Sequence, residues 1–131
     1  MKRVIVTGPR DWTDVIAVHR ELDMLLFGVI CQKFTAVTGD ATGVDAITKA
    51  WARLRGLEHE ELAADWAKYG NGAGPVRNKA MVARGANLCQ AFIAPCLSKK
   101  CRLQKPHGTH GTADCIKQAE KAGIPVRRYT A

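Results

Sequence analysis

Four short segments combine glycine with polar residues, and each follows a predicted strand or begins a predicted helix. They are GPRDW at 8–12, TGDATGVD at 38–45, GPVRN at 74–78 and HGTHGTAD at 107–114. Glycine allows backbone N–H groups to approach an anion, and a helix N-terminus adds partial positive charge. Singly, each segment also fits an ordinary turn. If the fold brings all four to one edge, they predict a phosphate-binding site.

Three aspartates in these segments could act as general acids or bases. Asp11 lies in the first segment, Asp45 in the second and Asp114 in the last. A carboxylate beside a bound phosphorylated ligand could act as a general acid or base in its hydrolysis. We therefore treat the three as candidate catalytic residues, with a binding site that performs no chemistry as the alternative.

Cysteine and histidine crowd into one part of the chain. Cys96, Cys101, His107 and Cys115 form a candidate zinc site, and His110 is an alternative fourth ligand. Zinc prefers thiolate and imidazole ligands, and metal binding could order a segment that has few apolar residues. In the alternative interpretation Cys115 packs under its helix and His110 lies beside a bound phosphate. No other cofactor is predicted.

Three aromatic residues are candidates for stacking on a base. Trp12, Trp66 and Tyr69 lie in predicted loops near the glycine-bearing segments. Their rings could stack on a nucleobase, although packing in the core is an alternative for each tryptophan. Trp51 instead fits the apolar stripe of a helix, so we expect it in the core.

Strands and helices alternate along the chain. Runs rich in apolar and β-branched residues predict strands at 2–7, 34–38, 58–63, 88–94 and 124–129. Helical spacing and caps predict helices at 14–27, 44–54, 75–85 and 112–122. We expect a glycine-rich loop at 64–75 and an irregular insertion at about 95–111. The order predicts one α/β domain over residues 1–131, a Rossmann-like three-layer sandwich of about five parallel strands with helices on both faces.

Charge and composition narrow the classes of partner. The chain has 131 residues and a formal net charge of +8. Residues 77–131 hold eleven basic and two acidic residues, a net charge of +9. Such asymmetry suggests a polyanionic ligand or a solvated basic face. The longest apolar run, at 24–31, is too short to span a membrane, and we expect a cytoplasmic protein.

The motifs jointly resemble the SLOG superfamily, and within it the YspA/YpsA-related branch of bacterial and phage proteins. The resemblance implies a Rossmann-like fold that binds nucleotides at the carboxyl edge of its sheet, and a possible homodimer. It assigns contacts with the ligand to residues of all four segments: Gly8, Arg10, Asp11, Gly39, Thr42, Gly43, Asp45, Arg77, Asn78, Gly111 and Thr112. Trp12 and His110 join this set from their positions in the segments. The phosphoribohydrolases of the superfamily carry a glutamate where this chain has Cys115, which argues against hydrolysis of their type unless Asp114 takes the place of that glutamate.

Three functions remain open. The first is binding of a nucleotide or an ADP-ribose-like ligand, by a sensor or sequestering protein in bacterial or phage conflict. The second is a nucleotide hydrolase, an N-glycosidase or a phosphohydrolase. The third is a binder of single-stranded nucleic acid, which the basic half favours and the shortage of aromatic residues there opposes.

Overall fold

A five-stranded parallel sheet forms the centre of the protein in the computed structural model, which describes residues 2–96 and 109–131. The strands are β1 (Lys2–Thr7), β2 (Phe34–Gly39), β3 (His59–Leu62), β4 (Leu88–Ile93) and β5 (Val126–Thr130). Their order in the sheet is β3-β2-β1-β4-β5, and all four pairings are parallel. The chain moves outward from β1 to β3 and then returns to the other side of β1. The strand order therefore reverses between β1 and β4, where α/β sheets of this kind bind ligands.

Helices cover both faces of the sheet. They are α1 (Val15–Met24), α2 (Val44–Leu54), α3 (Trp66–Tyr69), α4 (Ala73–Ala83) and α5 (His110–Lys121). A π-helical segment, Leu25–Val29, extends α1, and a 3₁₀ turn, Gly70–Gly72, joins α3 to α4. The predicted Rossmann-like three-layer architecture is confirmed.

Two hydrophobic clusters lie between the sheet and the helices, one on each face of the sheet. Alternate side chains of β1 point to opposite faces, so Val4 and Val6 enter one cluster and Ile5 enters the other. The first cluster includes Trp51 of α2, which is fully buried as expected. The second includes Cys115 of α5. Both clusters hold the strand ends in place beneath the loops that follow them.

The predicted helix limits were wrong in two places that matter for the site. The segment 64–75 is not an open loop, because α3 and the 3₁₀ turn occupy it and α4 begins at Ala73. Pro75 is accommodated there because the first four N–H groups of a helix have no acceptor within it. In addition, α5 begins at His110 rather than Thr112, so part of the predicted insertion belongs to its first turn. Residues 97–108 of the insertion lie outside the described residues.

Candidate functional site

A cavity of about 510 Å³ lies at the carboxyl ends of the central strands. All four glycine-bearing segments contribute to its wall. Of the predicted ligand-contacting residues, those that line it are Gly8, Arg10, Asp11, Gly39, Asp45, Arg77, Asn78, His110, Gly111 and Thr112. The fold thus brings together segments that are separated by up to about a hundred residues in the chain. Thr42, Gly43 and Trp12 are not among the residues that line the cavity.

Thr42 and Gly43 support the cavity wall by joining the first two segments. The hydroxyl of Thr42 donates to the carbonyl of Arg10 at 2.7 Å, and Val44 N–H donates to the carbonyl of Pro9 at 3.2 Å. Gly43 has a φ of 69°, and a Cβ there would overlap the carbonyl of Pro9. Glycine is therefore required at position 43 by both its backbone conformation and this close contact. These residues fix the loop after β1 against the start of α2.

Arg77 supplies positive charge inside the cavity. Its side chain is 15% exposed, and Nη1 lies 3.6 Å from Oδ1 of Asp40. The same nitrogen donates to the carbonyl of Leu62 at 3.4 Å, while Nε donates to Oδ1 of Asn78 at 3.0 Å. These contacts hold the guanidinium in place, and the separation from Asp40 leaves a weak ion pair that a ligand anion can replace.

Asn78 links the third segment to the fourth. Its side chain is 3% exposed, and Nδ2 donates to the carbonyl of Gly111 at 3.2 Å and to Oδ2 of Asp114 at 3.0 Å. Asp114 also accepts from Gln118 at 2.9 Å. Asn78 and Asp114 thus hold α4 against the first turn of α5. Asp114, one of the three candidate catalytic carboxylates, is committed to this contact and does not line the cavity.

The first turn of α5 presents backbone to the cavity. Thr109 precedes the helix, and its side chain makes no hydrogen bond to the helix backbone; its hydroxyl donates to that of Thr112 at 3.0 Å. Gly111 and Thr112 line the cavity, and a Cβ on Gly111 would meet no atom within 4 Å. An N-terminus without a side-chain cap is suited to hold an anion, because its amides lack acceptors within the helix.

Asp45 places a carboxylate in the cavity wall. It is 7% exposed, and Oδ2 accepts the N–H of Ala41 at 3.2 Å. Burial raises the pKa of Asp45 to about 6, although the positive charge of Arg77 opposes this shift. Asp11 also lines the cavity, but it is exposed to solvent. Of the three candidate carboxylates, Asp45 therefore combines burial with access to a ligand.

The two tryptophans that sequence places near the site differ in their surroundings. Trp12 is 8% exposed and belongs to the first core cluster, where its ring makes edge contacts with Phe92 and Tyr129. Its Nε1–H donates to the carbonyl of Asp14 at 2.9 Å. Trp12 therefore packs in the core, which is the alternative to stacking on a base. Trp66 is 48% exposed, and the guanidinium carbon of Arg10 lies 5.8 Å from its ring centroid.

The predicted zinc ligands are only partly within the described residues. Sγ of Cys96 lies 3.7 Å from Nε2 of His110, beside the cavity. Cys115 is fully buried in the second core cluster, and a hydrogen bond with it raises the pKa of the Cys89 thiol. Cys101 and His107 lie outside the described residues. Zinc remains a prediction, and the described part of the chain contains no group of three or more metal-ligating side chains.

Thr7 and Met81 also line the cavity, and sequence reasoning missed both. Thr7 is the last residue of β1, directly before the first glycine-bearing segment. Met81 lies one helical turn after Arg77 on α4, so spacing of i to i+4 could have found it.

Besides Arg77, three of the basic residues of 77–131 form ion pairs among the described residues. Arg84 contacts Glu60 at 2.8 Å, Arg127 contacts Glu21 at 3.2 Å, and Arg128 contacts Glu120 at 3.0 Å. These ion pairs reduce the charge available to a polyanion on the described surface. Binding of single-stranded nucleic acid stays a prediction.

The strand order, with a cavity at its point of reversal, defines a Rossmann-like α/β protein. The chain belongs to the YspA, cpYpsA-related SLOG family, whose model matches residues 2–69. This confirms the family that the motifs indicate.

Two further similarities extend over nearly the whole chain. The chain is 37% identical to the Gene 61 protein of Mycobacterium phage D29 over an alignment of 139 positions, which covers 98% of this chain and 97% of that relative. The fold is similar to the X-ray structure of TM1055, a target of the Northeast Structural Genomics Consortium. The TM-score is 0.63 at 20% identity, over 96% of this chain and 72% of the other.

No helix in the described part of the chain is long and apolar enough to cross a membrane. Formation of a homodimer stays a prediction.

Proposed function

We propose that the cavity binds a nucleotide or a nucleotide-derived molecule, such as an ADP-ribose-like compound. The observation that carries the proposal is that the guanidinium of Arg77 and the first turn of α5 line the same cavity. Its volume of about 510 Å³ falls in the range of small-molecule sites. Membership of the SLOG family supports a ligand related to nucleotides.

The phosphate of the ligand binds between Arg77 and the N-terminus of α5. Backbone amides at Gly111 and Thr112 and the guanidinium together supply donors and positive charge. Asn78 holds both elements in register through its contacts with Arg77 and Gly111. An anion at this point replaces Asp40 as the partner of Arg77.

The sugar of the ligand faces the acidic wall of the cavity. Ionised carboxylates accept hydrogen bonds and repel phosphate, so Asp45 and Asp11 favour hydroxyl groups over a second anion. A molecule with a phosphate at one end and hydroxyl groups beside it can contact both Arg77 and the acidic wall. A sugar phosphate within a nucleotide has this arrangement.

The biological role that we propose is sensing or sequestering of this ligand in conflict between bacteria and phages. The similarity to a phage protein over nearly its full length supports that setting. A sensor or sequestering protein acts by retaining its ligand, so we expect tight binding without turnover of the ligand.

Calorimetric titration of the purified protein with AMP, ADP, ADP-ribose and ribose 5-phosphate tests the proposal. We expect saturable binding of at least one of them, with a stoichiometry of one per chain. Repeating the titration at several salt concentrations separates a small ligand from nucleic acid, because affinity for a polyanion falls steeply with salt. Absence of binding across the panel, in protein with a cooperative melting transition, contradicts the proposal.

A nucleotide hydrolase is the second candidate, and the buried carboxylate of Asp45 favours it. A carboxyl group with a pKa of about 6 can exchange a proton with a reacting group near neutral pH. In an N-glycosidase, water would replace the base at the sugar carbon. Asp45 would accept a proton from that water and return it to the nitrogen of the departing base, so that the products are the free sugar and the neutral base. Release of free base or inorganic phosphate from the same four compounds, together with loss of that release in Asp45→Asn, identifies an enzyme. If the compounds remain intact, the protein binds them without turnover.

A further inference from the structure

We infer that Arg10 and Trp66 form an outer subsite for the nucleobase of the ligand. This inference rests on the proposed function and adds to it the part of the ligand that lies at the mouth of the cavity. The residues belong to different segments, since Arg10 lies in the loop after β1 and Trp66 begins α3.

Arg10 connects the inner cavity to the aromatic ring. It lines the cavity, and its guanidinium carbon lies 5.8 Å from the centroid of Trp66. Among the described residues, no carboxylate forms an ion pair with it. A guanidinium held against an aromatic ring and without a carboxylate partner can stack on a planar base or contact the phosphate next to it.

Trp66 is held on one side and open on the other. Asp65 caps α3 by accepting the N–H of Lys68 at 3.1 Å, and the helix ends at Gly70, which has a φ of 56°. A Cβ on Gly74 would lie 3.8 Å from Cη2 of Trp66, so the ring edge packs against the start of α4. Because the ring is still 48% exposed, it presents apolar surface next to Arg10, which lines the cavity.

Other aromatic side chains are less suited to this role. No Trp, Tyr or Phe of the described residues lines the cavity. Trp12 and Trp51 are buried in the core. The cation over the ring of Tyr69 is Lys68, which does not line the cavity, whereas the cation over Trp66 is Arg10, which does. A base whose phosphate lies near Arg77 therefore has Trp66 as its stacking partner. Stacking of this kind is tolerant of sequence and contributes about 5- to 100-fold in affinity per base.

The experiment compares AMP with ribose 5-phosphate, which lacks the base. Both are titrated calorimetrically into wild type, Trp66→Ala, Trp66→Phe and the matched control Tyr69→Ala, which removes another exposed aromatic ring from the same short helix. We expect wild type to bind AMP about 5- to 100-fold more tightly than ribose 5-phosphate. Trp66→Ala should lose this preference while keeping its affinity for ribose 5-phosphate, Trp66→Phe should keep most of it, and Tyr69→Ala should keep all of it.

Tryptophan fluorescence gives an independent readout, because Trp66 is exposed whereas Trp12 and Trp51 are buried. AMP should change the emission of wild type and protect it from acrylamide quenching, and ribose 5-phosphate should not. Equal affinity of wild type for both ligands, or a preference that survives in Trp66→Ala, overturns the base subsite while the phosphate site stands. Loss of the preference in Tyr69→Ala alone assigns the base to Tyr69 and also overturns it. Binding of neither ligand by folded wild type overturns the proposed function and this inference together.

Discussion

The guanidinium group of Arg77 occupies the space that a side chain at Gly39 would need. A Cβ built on Gly39 would overlap Arg77 Nη1 and would lie 2.9 Å from Oδ2 of Asp45. The missing side chain at the end of β2 therefore allows a cation from α4 and a carboxylate from α2 to approach each other at the cavity wall. Arg77, which we assign to the phosphate of the ligand, and Asp45, which we assign to its sugar, therefore lie close together at Gly39.

Replacing Arg77 should weaken nucleotide binding without unfolding the protein. A charge-assisted contact with phosphate contributes roughly 1.5 to 3 kcal/mol, so Arg77→Ala should raise the calorimetric Kd for AMP about 10- to 100-fold. Gly39→Ala should raise it too, because the added methyl group displaces the guanidinium. Lys79→Ala, which removes an exposed charge from the same helix, is the control and should have little effect. An unchanged Kd in Arg77→Ala with an unchanged melting temperature contradicts this role.

Gly111→Val should abolish binding while leaving the fold intact. Gly111 lies in the first turn of α5, its φ is not positive, and a Cβ there meets no atom within 4 Å. The branched side chain can therefore be accommodated by the fold, but it enters the space beside the cavity and blocks the approach of an anion to the backbone. Ala113→Val adds the same kind of side chain at an exposed position of α5 and should bind normally. Normal binding of AMP by folded Gly111→Val would show that phosphate lies elsewhere.

Asp45 should make stability depend on pH. Its pKa is raised to about 6 in the folded protein, against about 4 for an unfolded chain, so the folded state holds the proton more tightly. This contribution is fully present below about pH 4 and is lost as the pH rises through about 6, by about 2 to 3 kcal/mol. Urea denaturation of wild type and Asp45→Asn should therefore show a difference in free energy of unfolding that shifts in favour of the variant across this range. A difference that stays constant from pH 4 to 7 contradicts a buried, protonatable Asp45.

Zinc, if bound, should involve Cys96 and His110. Two ligands of one tetrahedral zinc, a thiolate and an imidazole, lie about 3.5 Å apart, and the observed separation is 3.7 Å. Protein purified without chelator should carry about one equivalent of zinc by elemental analysis. Cys96→Ser should lose it, and Cys31→Ser, at an exposed cysteine outside the cluster, should keep it. Less than about 0.2 equivalents in wild type means that these side chains hold no metal.

Periodic patterns predicted the sheet and the longer helices, because the spacing of apolar residues within each segment shows which of its faces is buried. The run at 2–7 and the apolar stripe of 44–54 both form the elements expected of them. The gathering of the four glycine-bearing segments at one edge could be predicted because the strands are parallel, and parallel strands place the loops that follow them on the same side of the sheet.

Features that depend on distant contacts could not be predicted from local pattern. Trp12 packs on Phe92 and Tyr129, which belong to strands at the other end of the chain. The early start of α5 and the helical turns at 66–72 also escape periodicity, because these elements are too short or too polar to show it. The role of Gly39 requires the position of Arg77, which only the folded protein gives.

Chemical-shift mapping by two-dimensional NMR tests the central claim most directly, since the chain is 14.3 kDa and its amides can be observed individually. Titration of labelled protein with AMP should shift the amides of Gly8, Gly39, Gly111 and Thr112 in a saturable way, and those on the far side of the molecule, such as Arg53 and Gly85, should stay in place. Spectra that do not change with AMP, or shifts that spare Gly39 and Gly111, would contradict a nucleotide site in this cavity.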